Sequence, residues 1–216
     1  MNQKFNGKAS NQDPQGLRKI WILPLPREKS EVSVEEALRI RRSIRQYPTE
    51  PLNIDEISQL CWAAQGVSNP RGNYRTAPSA GALYPLETYL SVGNVTDMAP
   101  GIYKYLPQSH ELVLIQDGDH RGELVQAALG QTSVQYAPAA LILAGNYDIT
   151  TAKYRERGIR YVFMEAGHAA QNVTLQAVAL NLATVVIGAF HDQQVKEITQ
   201  LPERETPLYI IPLARR

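Results

Sequence analysis

The chain has 216 residues, of which 44% are apolar and 20% charged, the balance of one globular domain with a sizeable core. Its 22 basic residues stand against 21 acidic ones, a formal net charge of +1, which excludes the broad basic excess of a general nucleic-acid binder but allows a local anion site. A single cysteine, Cys61, and four scattered histidines exclude an intrachain disulfide and a Cys-based metal cage.

Residues 1–16 are rich in Asn, Gln, Lys and Ser and lack the apolar core of a secretory signal. Residues 1–19 therefore read as a flexible lead-in to one domain over residues 20–216. No apolar run has the length of a membrane span, and the protein is expected in the cytoplasm. Residues 20–27 read Ile-Trp-Ile-Leu-Pro-Leu-Pro-Arg. The two prolines bar a regular helix, so this is an extended apolar arm that must bury itself on its own subunit or on a partner. Ser33 and Glu36 have capping-box spacing, and the helix they open is expected to reach Arg42. Asn53 and Glu56 open a second helix with Ile54, Ile57, Leu60, Cys61 and Ala64 at helical spacing, and Gly66 stops it.

Residues 68–85 are dense in loop-formers, among them Asn69, Pro70, Gly72, Pro78, Ser79, Gly81 and Pro85. Strands are expected over 87–92, 101–106 and 111–115, the last two as a hairpin, and a short helix over 121–129. Residues 139–144 form a continuous apolar run, as in a strand buried on both faces. A long alanine-rich helix is expected over 159–182, strands over 184–187 and 208–213, and a helix around Val195 and Ile198 between them. The result is an α+β arrangement around one antiparallel-rich sheet.

Four places carry residue types suited to chemistry. Arg39, Arg41, Arg42 and Arg45 surround Ser43; arginine forks bind phosphate bidentately and a hydroxyl adds a donor, whereas the plainer reading is a solvated basic face. If helical, Arg41 and Arg45 share one face. The run Pro78-Ser79-Ala80-Gly81-Ala82 is small enough for backbone to approach a flat ligand, or is simply a turn. Lys153 and Tyr154 can move protons if a site desolvates them. Ile187, Gly188 and Ala189 lie between a strand and a helix, where backbone N–H groups suit an electron-rich ligand edge. His168 in the long helix reads as a packing residue, and Cys61 as inert core.

Taken in order, these pieces resemble the FMN-dependent nitroreductase superfamily. The stretch Arg41-Arg42-Ser43-Ile44-Arg45-Gln46-Tyr47 looks like its flavin-phosphate signature. The set from Pro78 to Pro85, then Lys153-Tyr154, then Glu165-x-Gly167-His168-x-x-Gln171-Asn172, resembles the SagB-type, thiazoline/oxazoline dehydrogenase branch. The resemblance implies a three-layer fold with a central, largely antiparallel mixed sheet flanked by helices, built as an intertwined homodimer with two FMN sites. It implies that Arg41, Arg42, Ser43 and Arg45 hold the phosphate, ribityl and pyrimidine edge, with Arg215 reaching the phosphate. Pro78, Ser79, Ala80, Gly81 and Ala82 then contact the flavin from the partner subunit, Gln131 makes a polar contact, and Ile187, Gly188 and Ala189 face the ring near N5. Lys153 and Tyr154 match the pair that acts in azoline oxidation. Two activities follow: NAD(P)H-dependent reduction of nitro or quinone acceptors, or dehydrogenation of an azoline-type substrate, the latter needing a cyclodehydratase or precursor-peptide partner. The alternative is a docking subunit of a peptide-modifying complex without turnover of its own.

Overall fold

The computed structural model describes residues 9–12, 19–69, 71 and 74–216. Strands β1 (Ala9–Gln12) and β2 (Lys19–Ile22) lead into helices α1 (Val34–Ile40) and α2 (Ile54–Gln65) and the short strands β3 (Val67–Asn69) and β4 (Tyr74–Arg75). Then come β5 (Leu86–Val92), β6 (Gly101–Leu106), β7 (Glu111–Asp117), α3 (Arg121–Ala127) and α4 (Thr132–Tyr136). The chain closes with β8 (Ala139–Gly145), α5 (Tyr147–Tyr154), α6 (Arg157–Ala179), β9 (Leu182–Thr184), α7 (Asp192–Thr199) and β10 (Thr206–Arg215).

Eight strands form one sheet in the order β1-β2-β7-β6-β5-β8-β10-β9, and its strand pairings are antiparallel. β3 and β4 make a separate hairpin. The apolar run of β8 explains the layering, because all of it is buried and alternate side chains point to opposite faces. Ala139, Leu141 and Leu143 enter one core with Leu60 of α2 and Val162 and Ala166 of α6. Ala140, Ile142 and Ala144 enter the other with Leu124 of α3, Val134 of α4 and Val195 of α7. Each fully buried Leu or Ile contributes about 1.5–3 kcal/mol. Helices thus cover both faces of a sheet with few polar interior positions, which is the expected three-layer α+β fold.

Trp21 and Leu23 of the apolar arm are buried on their own chain, whereas Ile22 and Leu25 stay exposed. Ile20 and Trp21 of β2 pair with Val113 and Leu112 of β7, and Trp21 packs edge-on to Tyr103 at 5.2 Å between ring centroids. His110 pins the arm beyond the strand: its Nε2 lies 2.9 Å from the Pro24 carbonyl and 2.7 Å from the Ser58 hydroxyl, and its Nδ1 lies 2.8 Å from the Tyr105 hydroxyl. Burial holds the His110 imidazole below its usual pKa, so the neutral ring is the form that makes these bonds.

Helix α2 is capped reciprocally, Asn53 accepting from the Glu56 N–H and Glu56 from the Asn53 N–H, both at 2.9 Å. Helix α1 ends two residues before the expected Arg42. Helices α4 and α5 are additions to the expected elements. The α5–α6 corner depends on Gly158, where a Cβ would stand 2.6 Å from the Thr150 carbonyl carbon, so only glycine lets the two backbones approach this closely. The lead-in expected over residues 1–19 falls mostly outside the described residues, as do Pro70 and Gly72; residues 9–12 within it form the edge strand β1. Among the described residues no helix is long and apolar enough to cross a membrane.

Candidate active site

The basic segment is not helical. Arg41 leaves α1 at φ −53°, ψ 126°, and residues 41–50 have no regular structure, so the expected helical face shared by Arg41 and Arg45 is absent. The cause lies in Arg42, whose Nη1 donates to the carbonyls of Arg39 at 3.0 Å and Arg41 at 2.7 Å. Those are terminal carbonyls that the helix itself leaves unsatisfied. Arg42 Nη1 is therefore spent on its own backbone. The Arg41 and Arg45 guanidiniums and the Ser43 hydroxyl make no hydrogen bond or ion pair with the described residues, which leaves them free to receive an anion. The Ile44 N–H donates to the Thr184 carbonyl of β9 at 3.0 Å, and the Tyr47 hydroxyl donates back to the Ile44 carbonyl at 2.8 Å. These bonds lay the segment along the β9 edge of the sheet.

The turn after β9 belongs to the same neighbourhood. Ile187 exchanges both backbone bonds with Ile210 of β10 at 2.9 Å. Gln131 Nε2 donates to the Ala189 carbonyl at 3.0 Å and to the Ala128 carbonyl at 3.1 Å. Ile187, Gly188 and Ala189 are thereby held from the sheet on one side and from Gln131 on the other, with Gly188 and Ala189 exposed. Tyr47 closes the group, since its phenol faces both Ser133 of α4 and Arg45.

A second group forms just before the start of β5. The Ser79 hydroxyl accepts from the Tyr84 N–H at 2.8 Å, and a single 3₁₀ turn follows at Ala80–Ala82. Gly81, Ala82 and Tyr84 all have left-handed backbone, at φ 62°, 54° and 52°. Two of these are not glycine, a strain that clusters at ligand clamps. Helix α5, capped by the Asn146 side chain, brings Lys153 and Tyr154 against this loop. A Cβ on Gly81 would lie 2.5 Å from the Tyr154 hydroxyl and 2.8 Å from Lys153 Nζ, so the two polar ends converge on one spot. Lys153 Nζ sits 5.4 Å from the Tyr154 ring centroid, and Tyr161 packs edge-on behind that ring at 5.1 Å. The expected proton-moving pair and the expected small-residue loop are thus brought together.

Beneath the loop lies a polar cluster with no role in the sequence reading. Arg75 Nη1 donates to Gln65 Oε1 at 2.8 Å, and its guanidinium lies 4.8 Å over the Tyr84 ring. Glu165 of α6 is 2% exposed. Burial pushes its carboxyl up to about 7, against the opposing pull of Ser79, Arg75 and Gln65 facing it. Gln65 Nε2, Arg75 Nε and Glu165 Oε1 are buried without hydrogen-bond partners. The available signal was Glu165 in the quoted Glu-x-Gly-His motif; a lone acid on the buried side of an alanine-rich helix asks for a partner. Arg75 carried no comparable signal.

Arg215 lies apart from both groups in its bonding. Its Nη1 forms an ion pair with Glu56 at the start of α2. β5 and β9 are three strands apart in the sheet, about 14 Å at normal strand spacing. Each chain therefore holds the free arginines at one place and the Lys153–Tyr154 loop at another. The donor set suits FMN: unpaired cations and a hydroxyl for a phosphate, and an exposed, nearly side-chain-free loop for a flat ring.

The chain is similar to known proteins over most of its length. Residues 38–215 match the nitroreductase family. A protein of Methanocaldococcus jannaschii described as a nitroreductase is 46% identical over 186 residues, covering 86% of this chain and 92% of its own. A Ralstonia eutropha structure described in the same terms superposes with a TM-score of 0.80 at 29% identity, covering 91% of this chain and 89% of that one. The Escherichia coli microcin synthetase McbBCD complex contains a chain that superposes at 0.70 with 26% identity, over 90% of this chain and 77% of that one. The last likeness accords with the SagB-type resemblance. From the arginine segment to the final strand, this chain is a member of the nitroreductase family.

Proposed function

We propose that the protein is an FMN-dependent oxidoreductase whose site is completed by a second copy of the chain, and that it dehydrogenates an azoline-type substrate. The observation that carries this reading is the convergence of the Tyr154 hydroxyl and Lys153 Nζ on the Gly81 turn. Bound FMN supplies the two-electron acceptor chemistry. Arg41, Ser43 and Arg45 of one subunit hold the phosphate and ribityl chain through charge-assisted bonds, with Gln131 and the backbone of Ile187, Gly188 and Ala189 along the ring edge. Pro78, Ser79, Ala80, Gly81 and Ala82 of the second subunit would contact the flavin. The roughly 14 Å lateral separation of the two groups within one chain supports the homodimer. Tyr154 Oη or Lys153 Nζ takes the proton that leaves the substrate carbon.

The likeness to a chain of a microcin synthetase complex supports a partner that makes the heterocycle. NAD(P)H-driven reduction of nitro or quinone acceptors is the other direction open to the same site. Purified protein is expected to carry about one FMN per subunit by visible absorption and released-cofactor identification. Tyr154→Phe is expected to keep the flavin and lose azoline oxidation. Rapid flavin reduction by NADH or NADPH, with no reduction by an azoline peptide, overturns the dehydrogenase direction. A colourless protein that fails to take up FMN overturns the flavoenzyme reading and leaves the docking subunit.

A further inference from the structure

The turn over residues 78–84 is fixed at its base and open at its tip. At the base, the Thr76 N–H donates to the Gly66 carbonyl at 2.9 Å, and its hydroxyl donates to the Trp62 and Ala63 carbonyls at 2.9 and 3.0 Å. Asn172 of α6 donates to the Thr76 carbonyl at 3.1 Å. At the tip, Pro78, Gly81 and Ala82 are exposed, and the turn's own backbone bonds are those of Ala82 to Ser79 and Leu83 to Ala80, at 3.1 and 3.4 Å. Tyr84 closes the turn by donating its N–H to Ser79 Oγ at 2.8 Å, and it does so from φ 52°. A bulky residue is strained there, and the proline that follows restricts it further. Other contacts must hold Tyr84 in place.

Arg75 holds the phenol at both ends. Its backbone N–H donates to the Tyr84 hydroxyl at 3.3 Å, and its guanidinium lies 4.8 Å over the ring. The guanidinium is anchored in turn, Nη1 donating at 2.8 Å to Oε1 of the fully buried Gln65 and at 3.4 Å to the Leu86 carbonyl. Among the described residues no carboxylate lies within ion-pair distance of Arg75, and its Nε has no hydrogen-bond partner. The Tyr84 ring is therefore what its charge meets at contact distance, and a partly desolvated cation–π contact is a strong one.

We propose that Arg75 is a positioning residue for the small-residue turn: acting through Tyr84, it holds Ser79 and the residues after it in the shape that receives the ligand. Arg75 itself touches no ligand. It carries the rigidity of the α2 end to a surface with few bonds of its own. Without the guanidinium the turn opens more often, and ligand affinity falls with the fraction of molecules in the receptive shape.

The inference rests on the reading that this turn contacts bound FMN, and its test separates the two. The first measurement needs no flavin: amide hydrogen exchange at Tyr84, compared with Leu90 in the buried middle of β5, in the full chain. Arg75→Met is expected to speed exchange at Tyr84 about three- to thirtyfold, the range of one cation–π contact, and to leave Leu90 unchanged. The second is FMN affinity by fluorescence quenching for wild type, Arg75→Met, Tyr84→Leu and the double variant. Each single variant is expected to bind at least about twofold more weakly, Arg75→Met by no more than its exchange factor, and the double variant no more weakly than the worse single one. Unchanged exchange at Tyr84 overturns the positioning role, as does unchanged FMN affinity beside faster exchange. Losses that multiply in the double variant place Arg75 on the ligand and overturn the route through Tyr84. Faster exchange in a chain whose wild type takes up no FMN supports the hold on the turn and overturns the cofactor reading alone. If Arg75→Met fails to fold, Arg75→Lys, which keeps the charge and loses the planar fork, is read in the same way.

Discussion

Gly81→Ala tests the geometry of the site most directly. The residue has φ +62°, where an L side chain costs about 1–2 kcal/mol. In a chain of this size that lowers the melting temperature by about 2–8 °C. The added methyl would stand 2.5 Å from the Tyr154 hydroxyl and 2.8 Å from Lys153 Nζ. Both are far ends of long side chains, so they swing away rather than unfold the loop, and the stability loss stays near the backbone term. The displacement is at least several tenths of an ångström for each polar end. A misplacement of about 1 Å can cost on the order of 100-fold in rate, so turnover falls far more than stability. Thermal melts, FMN titration and single-turnover flavin reduction separate the two effects. A variant that melts a few degrees lower but keeps wild-type turnover would refute the claim that Gly81 sets the position of the Lys153–Tyr154 pair.

The two neighbouring arginines are expected to behave differently. Arg41→Ala weakens FMN binding by about 1.5–3 kcal/mol, the loss of a charge-assisted contact. Arg42→Ala instead frees the carbonyls at the end of α1, costing about 0.3–1 kcal/mol of stability, and leaves FMN affinity within about twofold by the same hydrogen-bond reasoning. Calorimetric titration beside urea melts distinguishes them, and the reverse order of binding losses would count against the assignment. Arg215→Ala leaves the Glu56 carboxylate without its cation at the start of α2 and is expected to cost about 1–3 kcal/mol in urea unfolding; adding Glu56→Gln recovers part of it. Folded Glu165 keeps its proton to about pH 7, where an unfolded glutamate loses it near 4.5. The native state binds more protons in that window, so stability falls as pH rises through it, by about 2–4 kcal/mol in all. Glu165→Gln removes this slope, and equal slopes in both proteins would disprove the burial argument.

The features legible in the sequence are those set by short-range patterns. Asn53, Glu56 and Gly66 bracket α2 because capping is a local exchange of hydrogen bonds. The unbroken apolar run of β8 announces a strand covered on both sides. Helix α5 escaped notice because Ile149, Thr150 and Thr151 favour strands; it is held by the Asn146 cap and by packing on α6 through Gly158, which only the folded chain provides. Helix α1 stops early because Arg42 turns back on its own carbonyls, a choice of rotamer rather than of pattern. In the site, the arginine segment and the small-residue turn carried visible composition. Arg75, Gln65 and Glu165 did not, because their meaning lies in meeting one another across three elements. That Lys153 and Tyr154 reach Gly81 is likewise a product of the α5–α6 corner.

The arm has a consequence for how the protein is made. Trp21 pairs opposite Leu112, just past the midpoint of the chain, and the Pro24 carbonyl waits for His110. During synthesis the first apolar strand leaves the ribosome early, yet the surface that receives it is completed only when β7 appears. The hairpins from β5 to β7 close over short loops and form quickly, whereas the β2–β7 seam carries a long-range closure. β2 therefore emerges well ahead of β7 and is seated only after it. In the interval its indole ring is a natural handle for chaperones.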